Sequence, residues 1–259
     1  MNTAFNATLL SRVEDASLNA SAPPQQRWVD GWLVRFSAGK AKRARCINAV
    51  AEGRLSVAER LAACEQVYAA ASLPMIVRIT PFTQPPGLDE ALASLGFQRF
   101  DDTRVMVLAD LHARPEQSPW PLGATLHPVG LAAFAQTVGA LRGSPLAQRQ
   151  AHAERAMNAP VPFSAFELHV HGQAVACGQV AIEGDLVGVY DVFTAPAARG
   201  QGWARALCTE LLRQAQARGA RHAYLQAEGD NHAARSVYRR LGLADGYAYH
   251  SRARDPGAA

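Results

Sequence analysis

The feature that most constrains this chain is a strand that leads through a basic glycine loop directly into a helix. Residues 186–194 (LVGVYDVFT) are apolar and β-branched, which predicts a buried strand. The loop 199–202 (RGQG) follows, and a helix is predicted from Trp203. Glycines let backbone N–H groups approach a ligand closely, and a helix N-terminus carries partial positive charge. The stretch therefore predicts a cradle for an anion, most naturally a pyrophosphate.

A second pattern lies further along the chain. Asn231, Ala234 and Tyr238 recur at helical spacing, and Leu241-Gly242 closes the run. Two other phosphate-binding motifs do not fit the loop. A P-loop ends in Gly-Lys-Ser/Thr, whereas this loop continues as Gly-Trp-Ala. A dinucleotide-binding fingerprint needs a third glycine where Ala204 stands.

Together the two patterns resemble the signature of the GNAT superfamily of acyl-CoA N-acyltransferases. Arg199, Gly202 and Ala204 fill its loop motif, Arg/Gln-x-x-Gly-x-Gly/Ala. The later motif, Asn-x-x-Ala-x-x-x-Tyr-x-x-x-Gly, is filled by Asn231, Ala234, Tyr238 and Gly242. The resemblance covers residues 124–252 well and the first half in outline. It implies the GNAT fold, an α/β (α+β) architecture with a mixed, mostly antiparallel central sheet flanked by helices.

Composition limits the other classes. With 259 residues, 49% hydrophobic and 19% charged, the chain can bury the cores of two domains and is not a disordered protein. The net charge of +4 is scattered among acids, which argues against a nucleic-acid partner. No apolar run reaches a membrane span and no signal-peptide layout is present, so we predict a cytoplasmic protein without a membrane partner. The cysteines lack metal-ligand spacing and are predicted to be buried free thiols, with no metal: Cys46, Cys64, Cys177 and Cys208.

The chain divides at a proline-rich stretch. Residues 113–123 are predicted to link an N-terminal domain, 1–112, to a C-terminal catalytic domain, 124–259. The first half predicts strands at 32–36, 45–50, 75–80 and 105–108, a basic turn over 37–43, and helices from 56 and over 88–95. The second predicts strands at 186–194, 222–226 and 246–251, with helices over 203–218 and 231–241. We interpret the shared order as two tandem copies of one α/β module.

The first copy is predicted to be degenerate. It enters its long helix through residues 51–59 (AEGRLSVAE), without a basic glycine loop. Alignment of the two Leu-Gly pairs places Pro85 opposite Asn231 and Leu92 opposite Tyr238. This half either shapes the substrate pocket or serves as a scaffold without ligand contact.

The resemblance implies acetyl-CoA as the acyl donor. Backbone N–H groups of residues 200–205 would bind its pyrophosphate, with added charge from Arg199 and Arg205. The end of the preceding strand would splay from its neighbour and offer backbone groups to the pantetheine arm, which Asn231 would also contact. The predicted cofactor-binding residues are Val192, Phe193, Thr194, Arg199, Gly200, Gln201, Gly202, Trp203, Ala204, Arg205 and Asn231.

Tyr238 is the predicted catalytic acid. A phenol keeps its proton at neutral pH and can donate it to a departing thiolate, and the family commonly uses a tyrosine at this position. Because Tyr238 shares an apolar helix stripe with Val237 and Leu241, a purely core tyrosine is the alternative. The first candidate for the catalytic base is Asp191, the acid nearest the acyl site in sequence. The alternatives are a water chain or one of Glu167, Glu183, His169 and His171.

These inferences predict an N-acetyltransferase that moves an acetyl group directly, in a ternary complex, to a primary amine. The acceptor is a small molecule, an amino acid or a peptide. Segments 131–157 and 247–252 should line its pocket, where Arg142 and Arg149 would suit a carboxylate, although solvated helix arginines are more common. The alternative function is a non-catalytic acyl-CoA-binding sensor or regulatory module. No pattern decides between a monomer and a homodimer.

Overall fold

A computed structural model describes residues 5–37, 42–115 and 120–257. Within these ranges the chain forms eleven strands, all in one sheet. The strands are β1 (Gln26–Val29), β2 (Trp32–Arg35), β3 (Ile47–Ala49), β4 (Val77–Ile79), β5 (Gln98–Leu108), β6 (Ala124–Val129), β7 (Phe163–Val170), β8 (Gln173–Glu183), β9 (Leu186–Thr194), β10 (His222–Glu228) and β11 (Ala244–Ala253). The helices are α1 (Ala7–Ala20), α2 (Val57–Ala70), α3 (Leu88–Ser94), α4 (Leu131–Leu141), α5 (Leu146–Met157), α6 (Trp203–Ala217) and α7 (His232–Arg240).

The sheet is mixed and mostly antiparallel, as predicted. Its strand order is β1-β2-β3-β4-β11-β5-β10-β9-β8-β7-β6. Among the described strands, β3 pairs parallel with β4 and β9 pairs parallel with β10, whereas the other neighbours run antiparallel. Each parallel pair is joined by a crossover helix, α2 or α6, as parallel neighbours require.

The two halves of the chain exchange their final strands. β11 lies between β4 and β5, and β5 lies between β10 and β11. The parallel pair of each half is therefore followed in the sheet by a strand from the other half. The repeated element order matches the predicted tandem copies, but the copies share one continuous sheet. The domain bounds 1–112 and 124–259 stay a prediction, and residues 116–119 of the proposed linker lie outside the described residues.

Helices cover both faces of the sheet. On one face α6 and α7 pack on side chains such as Met106, Val187 and Leu225, and α2 and α3 pack on Val77 and Ile79. On the opposite face α1 packs on alternate residues of β5 and β11. On the same face α4 packs on side chains of β7, β8 and β9. Period-2 alternation along the strands thus supplies two apolar faces.

Local chemistry explains most of the element bounds. Ser56 and Glu59 form the predicted capping box at the start of α2. β9 occupies the predicted residues 186–194. β5 is longer than the predicted 105–108, because its exposed polar half pairs with β11. Residues 38–41 of the predicted basic turn lie outside the described residues.

The remaining composition-based expectations can be compared with the described residues. The four cysteines are buried and free, as predicted. No helix in the described ranges combines the length and the apolar character needed to cross a membrane. Those ranges also contain no cluster of three or more histidine, cysteine or acidic side chains suited to a metal ion.

Candidate active site

A cleft of about 540 Å³ opens where β9 and β10 separate. The last paired residues of the two strands are Val189 and Leu225, so the ends of both strands diverge, as predicted. A β-bulge at Asp191 and Val192 accompanies the separation, and Asp191 has a positive φ of 50°. The cleft is lined by Arg43, Arg142, Ser144, Gln148, Ala151, His152, Arg155, Val189, Tyr190, Asp191, Val192, Phe193, Leu225, Gln226, Ala227, Glu228, Asn231, Ala234 and Tyr238.

The loop before α6 has the backbone geometry of an anion cradle. Gly202 is the N-cap of α6 with φ 87°, and no side chain caps its first-turn N–H groups. Gly200 is also left-handed, with φ 77°. A Cβ at either position would meet no atom within 4 Å, so backbone conformation rather than crowding requires glycine here. Uncapped N–H groups at the positive end of a helix dipole can bind an oxyanion.

The side chains of the loop connect it to the cleft. The Arg199 guanidinium lies 5.5 Å from the ring centroid of Phe193, a cleft residue. Its Nε lies 3.4 Å from the carbonyl oxygen of Thr194, whose own Oγ1 is buried without a hydrogen-bond partner among the described residues. Trp203 Nε1 donates to Gln201 at 3.2 Å. Of the predicted cofactor-binding residues, Val192, Phe193 and Asn231 line the cleft, whereas Thr194 and residues 199–205 do not.

Asn231 is the N-cap of α7. Its Oδ1 accepts a hydrogen bond from the backbone N–H of Ala234 at 3.1 Å. The capping role that the sequence allowed is therefore present. Because Asn231 also lines the cleft, capping fixes it at a position where a ligand can reach it.

Tyr238 belongs both to the core and to the cleft. Its side chain packs with Leu207, Cys208 and Leu211 of α6, and only 8% of the residue is exposed. It nonetheless lines the cleft opposite the diverging end of β9. Burial raises the pKa of the phenol, and neighbouring Cys208 acts in the same direction. Tyr238 is therefore held in its protonated form, as a proton donor requires.

Asp191 is held in a network of donors. Its carboxylate accepts hydrogen bonds from Arg142 at 3.0 Å and Gln179 at 2.7 Å, and His152 Nε2 lies 3.2 Å from it. Burial raises the pKa of Asp191, but His152 and Arg142 outweigh it and hold the pKa far below its usual range. A carboxylate in this state is a weak proton acceptor.

The other acids and histidines named as candidate bases lie outside the cleft. Glu167 contacts His169 at 2.9 Å on β7, and Glu183 accepts from Asn19 of α1 at 2.8 Å. His171 lies in the turn between β7 and β8. Besides Asp191, the acid that lines the cleft is Glu228, at the exposed end of β10. No sequence pattern pointed to Glu228, because it is the divergence of β10 from β9 that exposes this residue to the cleft.

One of the two segments predicted to line the acceptor pocket lines the cleft. Segment 131–157 forms α4 and α5 and supplies Arg142, His152 and Arg155 to the cleft. Arg149 instead donates to the carbonyl oxygen of Ser144 at 2.8 Å and secures the turn between these helices. The expectation for segment 247–252 was wrong, because β5 lies between β10 and β11. β11 supports the cleft from behind, where the Tyr249 hydroxyl donates to Gln226 at 2.9 Å.

The first half contributes a residue that the sequence did not single out. Arg43, in a single helical turn (Lys42–Ala44), lines the cleft and donates to Gln226. The signal available in the sequence was the basic turn over 37–43. The turn lies near β10 because the strand exchange joins the two halves in one sheet, and no local pattern predicts that exchange. The first half therefore helps to shape the pocket.

The equivalent helix start in the first half is satisfied internally. The carboxylate of Asp30 accepts hydrogen bonds from the backbone N–H groups of Arg54 and Leu55, each at 2.7 Å. Ser56 and Glu59 then cap α2. These backbone N–H groups are hydrogen-bonded within the protein, whereas the N–H groups at the start of α6 have no side-chain cap. This difference explains in physical terms why the first copy lacks a cradle.

Comparisons with known proteins identify the fold. The family model described as "Probable histone acetyltransferase Rv0428c C-terminal" matches residues 10–254. A GCN5-related N-acetyltransferase from Kribbella flavida is similar in structure, with a TM-score of 0.70, 19% identity and 95% of each chain covered. Another from Sphaerobacter thermophilus has a TM-score of 0.56 and 20% identity, over 77% of this chain and 68% of that one.

A tandem GNAT protein from the clavulanic acid biosynthesis pathway has a TM-score of 0.58 and 16% identity, over 78% of this chain and 72% of that one. These structures share the fold at low identity. A search of curated proteins gave no match. Since the family model spans nearly the whole sequence, this chain belongs to that acetyltransferase family and, with it, to the GNAT superfamily.

Proposed function

We propose that this protein is an N-acetyltransferase that moves an acetyl group from acetyl-CoA directly to a primary amine. Both substrates would be bound at once, and the acceptor would be a small molecule, an amino acid or a peptide. The observation that supports this most strongly is the cleft between β9 and β10. It has a protonated phenol in its wall and adjoins an uncapped, glycine-started helix.

The donor site fits acetyl-CoA in three respects. The N–H groups at the start of α6 suit the pyrophosphate, with positive charge from Arg199 and Arg205. Residues 192–194 no longer pair with β10, so backbone groups on that edge are available to the pantetheine arm. The buried Thr194 hydroxyl would gain a partner there. Asn231 lines the same cleft as Val192 and Phe193 of this strand.

The reaction breaks a thioester C–S bond and forms an amide C–N bond, so sulfur gains a proton and the amine loses one. Tyr238 is the proposed donor to sulfur, because it lines the cleft and keeps its proton. A thiol leaves readily, so a single phenol is sufficient.

The proposed proton acceptor is Glu228, directly or through water. The network around Asp191 favours a positioning role instead, in which the carboxylate orients Arg142 and His152. If Glu228 is the base, the acidic limb of kcat against pH disappears in Glu228→Gln and persists in Asp191→Asn. The reverse pattern would assign the base to Asp191.

The deciding experiment measures thiol release from acetyl-CoA by the purified protein against a panel of amines, amino acids and peptides. Mass spectrometry of the product should show one acetyl group on nitrogen. Acetyl-CoA binding without turnover on any member would favour the sensor or regulatory module. Absence of acetyl-CoA binding would contradict both functions.

A further inference from the structure

Three guanidinium groups line the cleft. They come from separate parts of the fold: Arg43 from the first half, Arg142 from the end of α4, and Arg155 from α5. The acids in the cleft wall are Asp191 and Glu228. Three distant segments thus bring cations to one surface, a costly arrangement unless something compensates the charge.

Among the described residues, only one of these three guanidinium groups has a carboxylate within ion-pair distance. Arg142 pairs with Asp191 at 3.0 Å. Arg43 donates to the neutral Gln226 and lies over the ring of Tyr190, 6.0 Å from its centroid. Within the described ranges, neither Arg43 nor Arg155 has a carboxylate within ion-pair distance. Burial lowers the pKa of Arg155; Asp191 opposes that shift, and Arg43 adds to it.

A smaller cavity of about 80 Å³ adjoins the cleft at these two arginines. Arg43, Arg155 and His152 line both spaces, so the small cavity continues the large one. The hydroxyls of Tyr190 and Ser21 in its wall already bond to Tyr224 and to the carbonyl oxygen of Ser17. Its acid is Asp191, whose carboxylate accepts from Arg142 and Gln179, so the donors left for a ligand are the guanidinium groups of Arg43 and Arg155. Its size suits a compact group rather than a peptide chain, and its donors suit an oxyanion.

We infer that the acceptor is a small primary amine that carries an oxyanion, a carboxylate or a phosphate, bound between Arg43 and Arg155. This inference rests on the proposed function and names its substrate class. Guanidinium groups match both oxyanions through paired N–H donors. The same charges repel a cationic acceptor such as a lysine-rich peptide. Selection against cations would therefore come from the cleft itself.

The test compares kcat/KM, calculated per unprotonated amine, for pairs of amines in which one member has the anion and the other lacks it. Glycine and β-alanine are paired with their amides, and phosphoethanolamine with ethanolamine; a lysine-rich peptide completes the set. We expect an acid to exceed its neutral partner by about 10- to 100-fold, the worth of a charged hydrogen bond. The carboxylate and phosphate pairs show which oxyanion is preferred. Equal rates within every pair, or preference for the peptide, would overturn the inference while leaving N-acetyl transfer intact.

Variants locate the effect. Arg155→Gln and Arg43→Gln should each abolish most of the discrimination between acid and amide, with acetyl-CoA affinity unchanged by calorimetry. Arg149→Gln is the matched control, because this arginine lies on the same helix as Arg155 but does not itself line the cleft; its Nε donates to the carbonyl oxygen of Ser144. Discrimination that survives both cleft variants contradicts the assignment.

Binding provides a readout independent of turnover. The CoA-bound protein is titrated with the same amines by calorimetry, and the anionic members should bind wild type more tightly than Arg155→Gln. If acetyl-CoA binds but no amine is acetylated, the proposed enzymatic function fails, and this titration still decides whether the oxyanion site exists. Absence of any anion-dependent binding would overturn the site.

Discussion

Tyr238 and Asp191 line the same cleft, but their surroundings favour opposite protonation states. Burial keeps the Tyr238 phenol protonated, whereas donors from three directions keep Asp191 ionised. Such separated proton affinities are common where one group gives a proton and another stabilises charge. Both positions were singled out from sequence spacing. The network that sets Asp191 could not be, since Arg142, His152 and Gln179 come from three different elements.

Tyr238→Phe tests the proposed acid. The ring and its packing remain, so the free energy of unfolding should change by about 1 kcal/mol. Loss of the donor should lower kcat by roughly 100-fold, with little change in acetyl-CoA affinity. Tyr68→Phe is the control, because its hydroxyl bonds the backbone of Arg35 in the first half. Unchanged turnover of Tyr238→Phe, where chemistry limits the rate, would return the residue to a packing role.

Asp191 should make the free energy of unfolding depend on pH in the acidic range. Its folded pKa lies below its unfolded value, so its contribution is fully present above about pH 4 and is lost as pH falls through the folded pKa. Asp191→Asn removes that contribution. Urea unfolding at stepped pH should therefore show a wild-type advantage at neutral pH that shrinks in acid. A difference independent of pH would mean that the ion pairs contribute little.

At the scale of elements, strand β9 and helices α6 and α7 were predictable, because apolar patterning and glycine or asparagine caps coincide there. Helix α1 also has an asparagine N-cap, Asn6, but was not predicted, and helix α5 had no comparable signal. The sequence of α5, LAQRQAHAERAM, is largely polar and has no side-chain cap. It is stabilised by tertiary packing, so segment 131–157 was predicted to line the pocket but His152 and Arg155 were not singled out within it.

Gly202→Glu tests the element that carries the cradle. The side chain would occupy the space before α6 and place a negative charge there, which removes several backbone bonds to an anion worth about 1.5–3 kcal/mol each. Acetyl-CoA binding, measured by calorimetry, should be abolished. Gly219→Glu is a matched control, since φ there is 96° and an added Cβ also meets no atom within 4 Å, at the far end of α6. Equal loss in both variants would indicate strain rather than a lost binding site.

At the scale of the molecule, the chain contains two crossover helices, α2 and α6, that each follow the first strand of a parallel pair. They differ in which groups accept hydrogen bonds from the backbone N–H groups where the helix begins. Asp30 and the capping box satisfy the first. We therefore expect calorimetry to give one acetyl-CoA per chain, and none for Gly202→Glu. A stoichiometry of two would contradict the interpretation of the first copy as degenerate. The tandem repeat itself was predictable from element order, whereas the strand exchange was not, since pairing between distant strands leaves no local pattern.

The exchange of β5 and β11 also bears on how the protein is made. Because β11 lies between β4 and β5, the first half cannot complete its sheet until residue 253 has been synthesised. Most multidomain chains fold their first domain while the ribosome is still working on the next. Here β4 and β5 must wait with unpaired edges until translation has passed both halves. Completion of the sheet thus needs both halves of the chain, and until β11 is available the unpaired edges of β4 and β5 are the segments most exposed to wrong pairing.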